Sequence, residues 1–225
     1  MSSLRIDWIT RQDAERAVMR WHYSRRMPRF KLACLGVWED GKWIGAVIFG
    51  CGATPEIGRP FGVAQHEACE LVRVALARHT APVSRILAIS LRMIRKAYPK
   101  LRVCVSFADG EQGHCGGIYQ AGGWTYVGPT YQEYIKLRGV IEHPKTLHSR
   151  YGVGGQSMPW LRANVDPTAC RVRGEAKHKY VWVFDTTLKS KLKSLPYPKR
   201  AVSTVASAPS VQDGEGGSKP TTALL

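Results

Sequence analysis

Apolar and polar positions fall into two clear periods along this chain. Between Arg11 and Trp21, residues Ala14, Ala17, Val18 and Trp21 recur at helical spacing behind Thr10, with Asp13 three residues on. The pattern predicts a helix capped by Thr10. The apolar runs Leu32–Glu39 and Lys42–Gly50 meet at Asp40-Gly41. That dipeptide tolerates the positive φ angles of a tight turn, so the runs predict a β-hairpin. A Gly/Pro-rich loop over Cys51–Gln65 precedes another strand at Glu67–Leu76. Val83, Leu87, Leu91, Ile94 and Tyr98 keep one face of a helix over Pro82–Tyr98, which Pro99 stops. Leu101–Asp109 alternates, with Leu101, Val103, Val105 and Phe107 on one side and Arg102, Cys104, Ser106 and Ala108 on the other. A short helix near His114–Ala121 ends at Gly122-Gly123. A strand begins at Trp124, and Tyr134–Leu137 and Lys179–Asp185 read as final strands. This order predicts a mixed α/β sheet with helices packed on it.

With 225 residues, 44% of them hydrophobic, the chain can bury a substantial core. Ordered patterning runs from about Leu4 to Leu188. The expected organisation is one domain over 1–190, a basic flap over 191–199 and a disordered Ser/Thr/Ala/Gly/Pro-rich tail over 200–225. No apolar run reaches the roughly 18–20 residues of a membrane span, and no hydrophobic leader opens the sequence, so a cytoplasmic protein is expected. Lys and Arg number 33 against 17 Asp and Glu, a net charge of +16, which points first to nucleic acid. Arg25, Arg26, Arg29 and Lys31, and the later basic stretch holding Lys177 and Lys179, can hold phosphates. A merely solvated basic surface has the same composition. The six cysteines form no CxxC pair, so structural zinc is not expected; Cys34 and Cys104 read as core residues.

Four places carry candidate chemistry. Asp109 closes an apolar strand, at the edge where α/β sheets bind ligands, although an Asp before a Gly and a helical turn also suits a cap. His22 and Tyr23 follow the first helix; they can ligate a metal, relay protons, stack on an extruded base, or form a buried aromatic turn. Arg73 lies within an apolar strand and needs an anion, from Glu70, Asp109 or a substrate. Tyr119 either faces a site or packs beneath Trp124.

The segments WHYSRRMP (Trp21–Pro28), GVWEDGKWIGAVIFGCGA (Gly36–Ala53), ELVRVAL (Glu70–Leu76), PVSRILAISL (Pro82–Leu91), VSFADGEQGHCGGIYQAGGWTYVG (Val105–Gly128) and LHSRYG (Leu147–Gly152) resemble the phage Mom DNA-modification family over about Trp21 to Asp185. The resemblance implies a single-domain fold like that of GNAT acetyltransferases. There a central strand runs through a phosphate-binding loop into a long helix. It implies acetyl-CoA or a related donor at Val74, Thr80, Val83, Ser84 and Arg85, although the loop RHTAPVSR carries no glycine, unlike most loops of that superfamily. It implies His22, Tyr23, Arg73, Asp109 and Tyr119 as catalytic residues and iron as a metal, for which His22, Tyr23 and Asp109 make a suitable N/O ligand set for Fe(II). The implied activity converts the exocyclic amine of adenine in DNA to a carbamoylmethyl group, blocking host restriction. The partner is then double-stranded DNA with a flipped adenine, because that amine is sequestered in the duplex. A homodimer paired through the hairpin strands is a further reading. The alternatives are an ordinary GNAT N-acetyltransferase acting on a small-molecule or protein amine, and a non-catalytic basic DNA-binding protein.

Overall fold

In a computed structural model of the chain, residues 3–52, 54 and 56–199 are described; the expected tail over 200–225 lies outside them. The elements run β1 (Leu4–Trp8), α1 (Arg11–Trp21), β2 (Leu32–Glu39), β3 (Lys42–Gly50), β4 (Ala68–Leu76), α2 (Val83–Ala97), β5 (Val103–Asp109) and α3 (Gly117–Gln120). They continue as β6 (Thr125–Leu137), β7 (Val140–Glu142), α4 (Pro144–Tyr151), α5 (Met158–Asn164) and β8 (Cys170–Val183). The strands form one sheet in the order β1-β2-β3-β4-β5-β8-β6-β7. The expected mixed α/β sheet is present, and so is the strand, loop and long helix unit, here β4, residues 77–82 and α2.

Local chemistry accounts for the elements that were anticipated. Thr10 accepts the Asp13 N–H at the start of α1. Asp40 and Gly41 take φ values of 48° and 78° between β2 and β3. Ala14, Ala17 and Val18 of α1 pack on Cys34, Ala46, Ile48 and Ala75, on one face of the sheet. Ile86, Leu87, Leu91 and Ile94 of α2 pack on Leu35, Val47, Phe49 and Cys104, on the other. β5 is therefore central and buried on both sides, with Val103, Cys104 and Val105 at 0% exposure. β1 covers the outer edge of the hairpin, so neither hairpin strand is left open for pairing across a dimer.

Three regions differ from expectation. The strands expected at Trp124 and at Tyr134–Leu137 are one 13-residue strand, β6, which Pro129 does not interrupt. Its partner β8 begins not at Lys179 but at Cys170. Together they run past Asp109 as a two-stranded ribbon, with Glu133 opposite Arg173 and Lys136 opposite Cys170. Around the ribbon's end, Ile135, Leu137, Leu147, Leu161 and Ala169 make a separate small core with α4 and α5, which the sequence pattern did not predict. Residues 192–198 lie against the sheet end. Leu195 N–H donates to the Tyr126 carbonyl (2.9 Å), the Tyr197 hydroxyl donates to the Trp124 carbonyl (2.8 Å), and Gln120 Nε2 donates to the Pro198 carbonyl (3.2 Å). Among the described residues no helix is long and apolar enough to cross a membrane.

Gly45, at φ 143°, lets β3 approach β4 so closely that an added Cβ would lie 2.0 Å from the Ala75 carbonyl oxygen. Gly45→Ala is expected to destabilise the fold by at least about 2 kcal/mol through strain and overlap, read as a lowered midpoint in urea titration.

Candidate active site

The two parallel strands set the site. β4 and β5 pair only from Ala68–Glu70 against Val103–Val105 and then part. Between their diverging ends opens a cavity of about 830 Å³. Where they part, Ser106 Oγ bridges the Leu71 carbonyl and the Tyr119 hydroxyl, 2.8 Å from each, deep in the core. Burial pushes the Tyr119 phenol up to about 12, and its ring packs on Trp124 and Tyr180, with centroids 5.2 and 5.1 Å away. The tyrosine thus lines the cavity and packs beneath Trp124 at once.

Arg73 owes its aim to a bulge. Ile48 and Phe49 of β3 oppose Arg73 and Leu71, so Val72 is an extra residue in β4. The Val72 carbonyl accepts the Arg73 Nη1 hydrogen at 2.7 Å, while Arg73 Nε is buried without a hydrogen-bond partner among the described residues. Burial lowers the guanidinium's pKa, and nearby Tyr23 and Glu70 oppose that shift.

Across the cavity, Asp109 ends β5. Its side chain makes no cap to the 3₁₀ turn that follows; instead Oδ2 accepts the Tyr23 hydroxyl at 3.0 Å. Oδ1 is buried with no partner among the described residues. Tyr23 stacks on His22 at 4.4 Å and meets the edge of His114 at 5.8 Å. Burial, and then the bond to Asp109, push the Tyr23 phenol up to about 12, so it is a donor. Burial, reinforced by Arg73 and His114 against a weaker pull from Asp109, brings His22 down to about 4, so its imidazole is neutral at pH 7. Lys177 lines the same cavity and pairs with Asp109 in strand register.

All five candidate catalytic residues, His22, Tyr23, Arg73, Asp109 and Tyr119, line this one cavity, as do Val74 and Val83 from the expected donor set. Thr80, Ser84 and Arg85 do not. Thr80 N–H and Oγ1–H and Ala81 N–H all donate to the Glu39 carboxylate, at 2.9, 2.8 and 2.7 Å. Ser84 and Arg85 face a separate cavity of about 340 Å³, beside Trp124 and Trp182. The loop therefore does not fit the pyrophosphate of acetyl-CoA, because Thr80 and the Ala81 N–H already hold Glu39 while Ser84 and Arg85 face the other cavity.

Iron does not fit either. The His22 ring presents Nδ1 to the Ser24 N–H (3.1 Å) and hydroxyl (2.9 Å). The Tyr23 phenol keeps its proton for Asp109. Among the described residues no group of three or more His, Cys, Asp or Glu side chains converges to hold a metal. Of the expected phosphate contacts, Arg25, Arg26, Arg29 and Lys31 are exposed on the loop after Tyr23. Lys179 instead lies half-buried, its ammonium 5.4 and 5.8 Å from the Phe61 and Phe107 ring centroids. Sequence reasoning missed Ser106 and the Glu39 contact, and named His114 only as the start of a short helix.

The sequence model of the Mom protein family matches residues 3–199. The chain belongs to the Mom family. The methylcarbamoylase mom of Escherichia phage Mu is 28% identical to this Mom-family chain over 207 residues, covering 87% of this chain and 84% of that protein. Solved structures are looser matches. A probable acetyltransferase (GNAT family) from Chromobacterium violaceum ATCC 12472 has a TM-score of 0.43 at 11% identity, covering 80% of this chain and 83% of that one. FeeM, an N-acyl amino acid synthase from uncultured soil microbes, has a TM-score of 0.43 at 11% identity, covering 86% and 97%.

His22 gives this Mom-family site a signature in stability. The unfolded chain takes up the imidazole proton near pH 6.5, whereas the folded chain resists it until about pH 4. Stability is therefore lost as pH falls across that window. Thermal melts of the wild type should show this loss, and His22→Gln should melt with a shallower slope between those two pH values.

Proposed function

We propose that this protein is a transferase that modifies the exocyclic amine of adenine in double-stranded DNA, giving a carbamoylmethyl derivative that shields phage DNA from host restriction. The observation that carries this reading is the half-buried Asp109 carboxylate on the cavity wall, with Oδ2 held by Tyr23 and Oδ1 buried without a partner among the described residues. The name of the phage Mu relative, a methylcarbamoylase, supports the type of group transferred.

The amine of adenine is a weak nucleophile because its lone pair is delocalised into the ring. It needs a base at the moment of attack, and a carboxylate oxygen with no other partner is suited to take the proton. In this reading the N6 lone pair forms a bond to the methylene carbon of the donor. The bond from that carbon to the leaving group breaks, its electrons leave with that group, and the N6 proton passes to Asp109 Oδ1. Tyr23 fixes the carboxylate, and the Arg73 guanidinium on the cavity wall faces the carbonyl of the incoming group. A flipped adenine can reach this depth, whereas a stacked one cannot. Arg25, Arg26, Arg29 and Lys31, on the loop that carries on from Tyr23, and Lys177 beside Asp109, would grip the flanking phosphates.

Nucleoside mass spectrometry of plasmid DNA from cells expressing the chain tests the reading. The expected result is an adenine species heavier by a carbamoylmethyl group. Asp109→Asn, equal in size, should lower its yield at least about a hundredfold, and Tyr23→Phe about tenfold. Unmodified DNA from soluble wild-type protein would overturn the proposal. In DNA-binding titrations, Arg26→Ala and Lys31→Ala should each reduce the slope of log affinity against log salt by about 1.

A further inference from the structure

We infer that Glu39 is a built-in anion that fills the loop ahead of α2, so the donor is a molecule gripped at its transferable carbonyl end, with no pyrophosphate on that loop. The inference rests on the transferase reading above and names the class of its second substrate.

The Glu39 carboxylate, with the residue 8% exposed at the end of β2, uses both oxygens. Oε2 accepts Thr80 N–H (2.9 Å), while Oε1 accepts Thr80 Oγ1–H (2.8 Å) and Ala81 N–H (2.7 Å). Hydrogen bonds to a charged acceptor are the strong ones, and they lie here at the positive end of the 15-residue helix α2. At the rest of the entrance Pro82 has no N–H, and the Arg85 and Ile86 N–H groups turn back to the Pro82 carbonyl at 3.0 and 3.2 Å, which leaves the Val83 and Ser84 N–H groups of the first turn. A pyrophosphate arriving here would have to displace a buried carboxylate and leave that charge beside its own. Both the desolvation and the repulsion oppose the exchange.

The bound amides also lie outside the cavity. Val74 and Val83 line the cavity, whereas Glu39, Thr80 and Ala81 do not. What lines the cavity from β4 is Arg73, whose guanidinium spends Nη1 on the Val72 carbonyl, and a guanidinium so placed suits a single carbonyl or carboxamide oxygen. A donor recognised there is held by the group it gives up, and its remainder lies outside the loop.

Amide hydrogen exchange of the full chain, resolved at Thr80 and Ala81, tests the inference, with coenzyme A and inorganic pyrophosphate, each at millimolar concentration, as probes. In the wild type both amides should exchange slowly, at a rate neither probe alters. Glu39→Ala should speed their exchange roughly ten- to a hundred-fold. Glu39→Gln, which keeps the shape and one acceptor oxygen, should fall between. Protection or a shifted environment of these amides on adding either probe to the wild type would overturn the inference. So would wild-type exchange rates in Glu39→Gln. The wild-type arm needs no variant to fold. Nucleoside mass spectrometry on the same preparation reports separately on DNA modification, so failure of the transferase reading and failure of the Glu39 inference give different results.

Discussion

A parallel pair of strands that stays bonded for three residues and then parts leaves backbone groups in the middle of a core with nothing opposite them. The rest of the structure is arranged around that debt of hydrogen bonds. β4 keeps its other edge on β3, and β5 keeps its other edge on β8. The Leu71 carbonyl, at the point of parting, is met by the Ser106 hydroxyl, which also holds Tyr119. One small side chain therefore satisfies the opened strand and fixes the ring that walls the cavity. The opening is a designed break in the sheet, and everything polar in it is positioned by elements that the break does not weaken.

The electrostatics of the cavity divide the work among its residues. Burial holds Tyr23 and Tyr119 protonated and His22 neutral, so none of the three carries charge into the site. Charge comes from Arg73 and Glu70 on one wall and from Asp109 and Lys177 on another. Two of these residues retain a buried polar atom without a protein partner, Arg73 Nε and Asp109 Oδ1. Each such atom is costly to bury unpaired, and both belong to side chains on the wall of one cavity.

How much of this was legible follows from where each signal lies. α1, the β2–β3 hairpin and α2 could be read nearly residue by residue, because each pairs a clean apolar period with a local stop such as Asp40-Gly41 or Pro99. β8 was cut short because Arg171, Arg173 and Glu175 alternate with small or apolar residues on an exposed ribbon and read as a run of charge. α4 and α5 are too short, and too close to the Gly-rich 152–156 turn, to show a period. In the site, residue types alone left His22, Tyr23, Arg73, Asp109 and Tyr119 with structural roles as plausible as chemical ones. Their grouping came from the family resemblance, and the fold places them around one cavity. Glu39 was illegible for a different reason. An acid beside a tight turn reads as solvated, and its partner at Thr80 lies 41 residues along the chain. The extra residue at Val72 likewise leaves no mark on an apolar strand.

The β6–β8 ribbon carries its own small core, around Leu147 and Leu161, beyond the reach of β5. That lobe rests on the main sheet through two strands, and the residues lining the cavity come from elsewhere, Lys177 of β8 excepted. Its packing is thus a separate cooperative unit, able to loosen while the diverging strands stay closed. The lobe and the cavity share one strand, and a change of shape in the outer core can reach the cavity wall only along the backbone of β8, at Lys177.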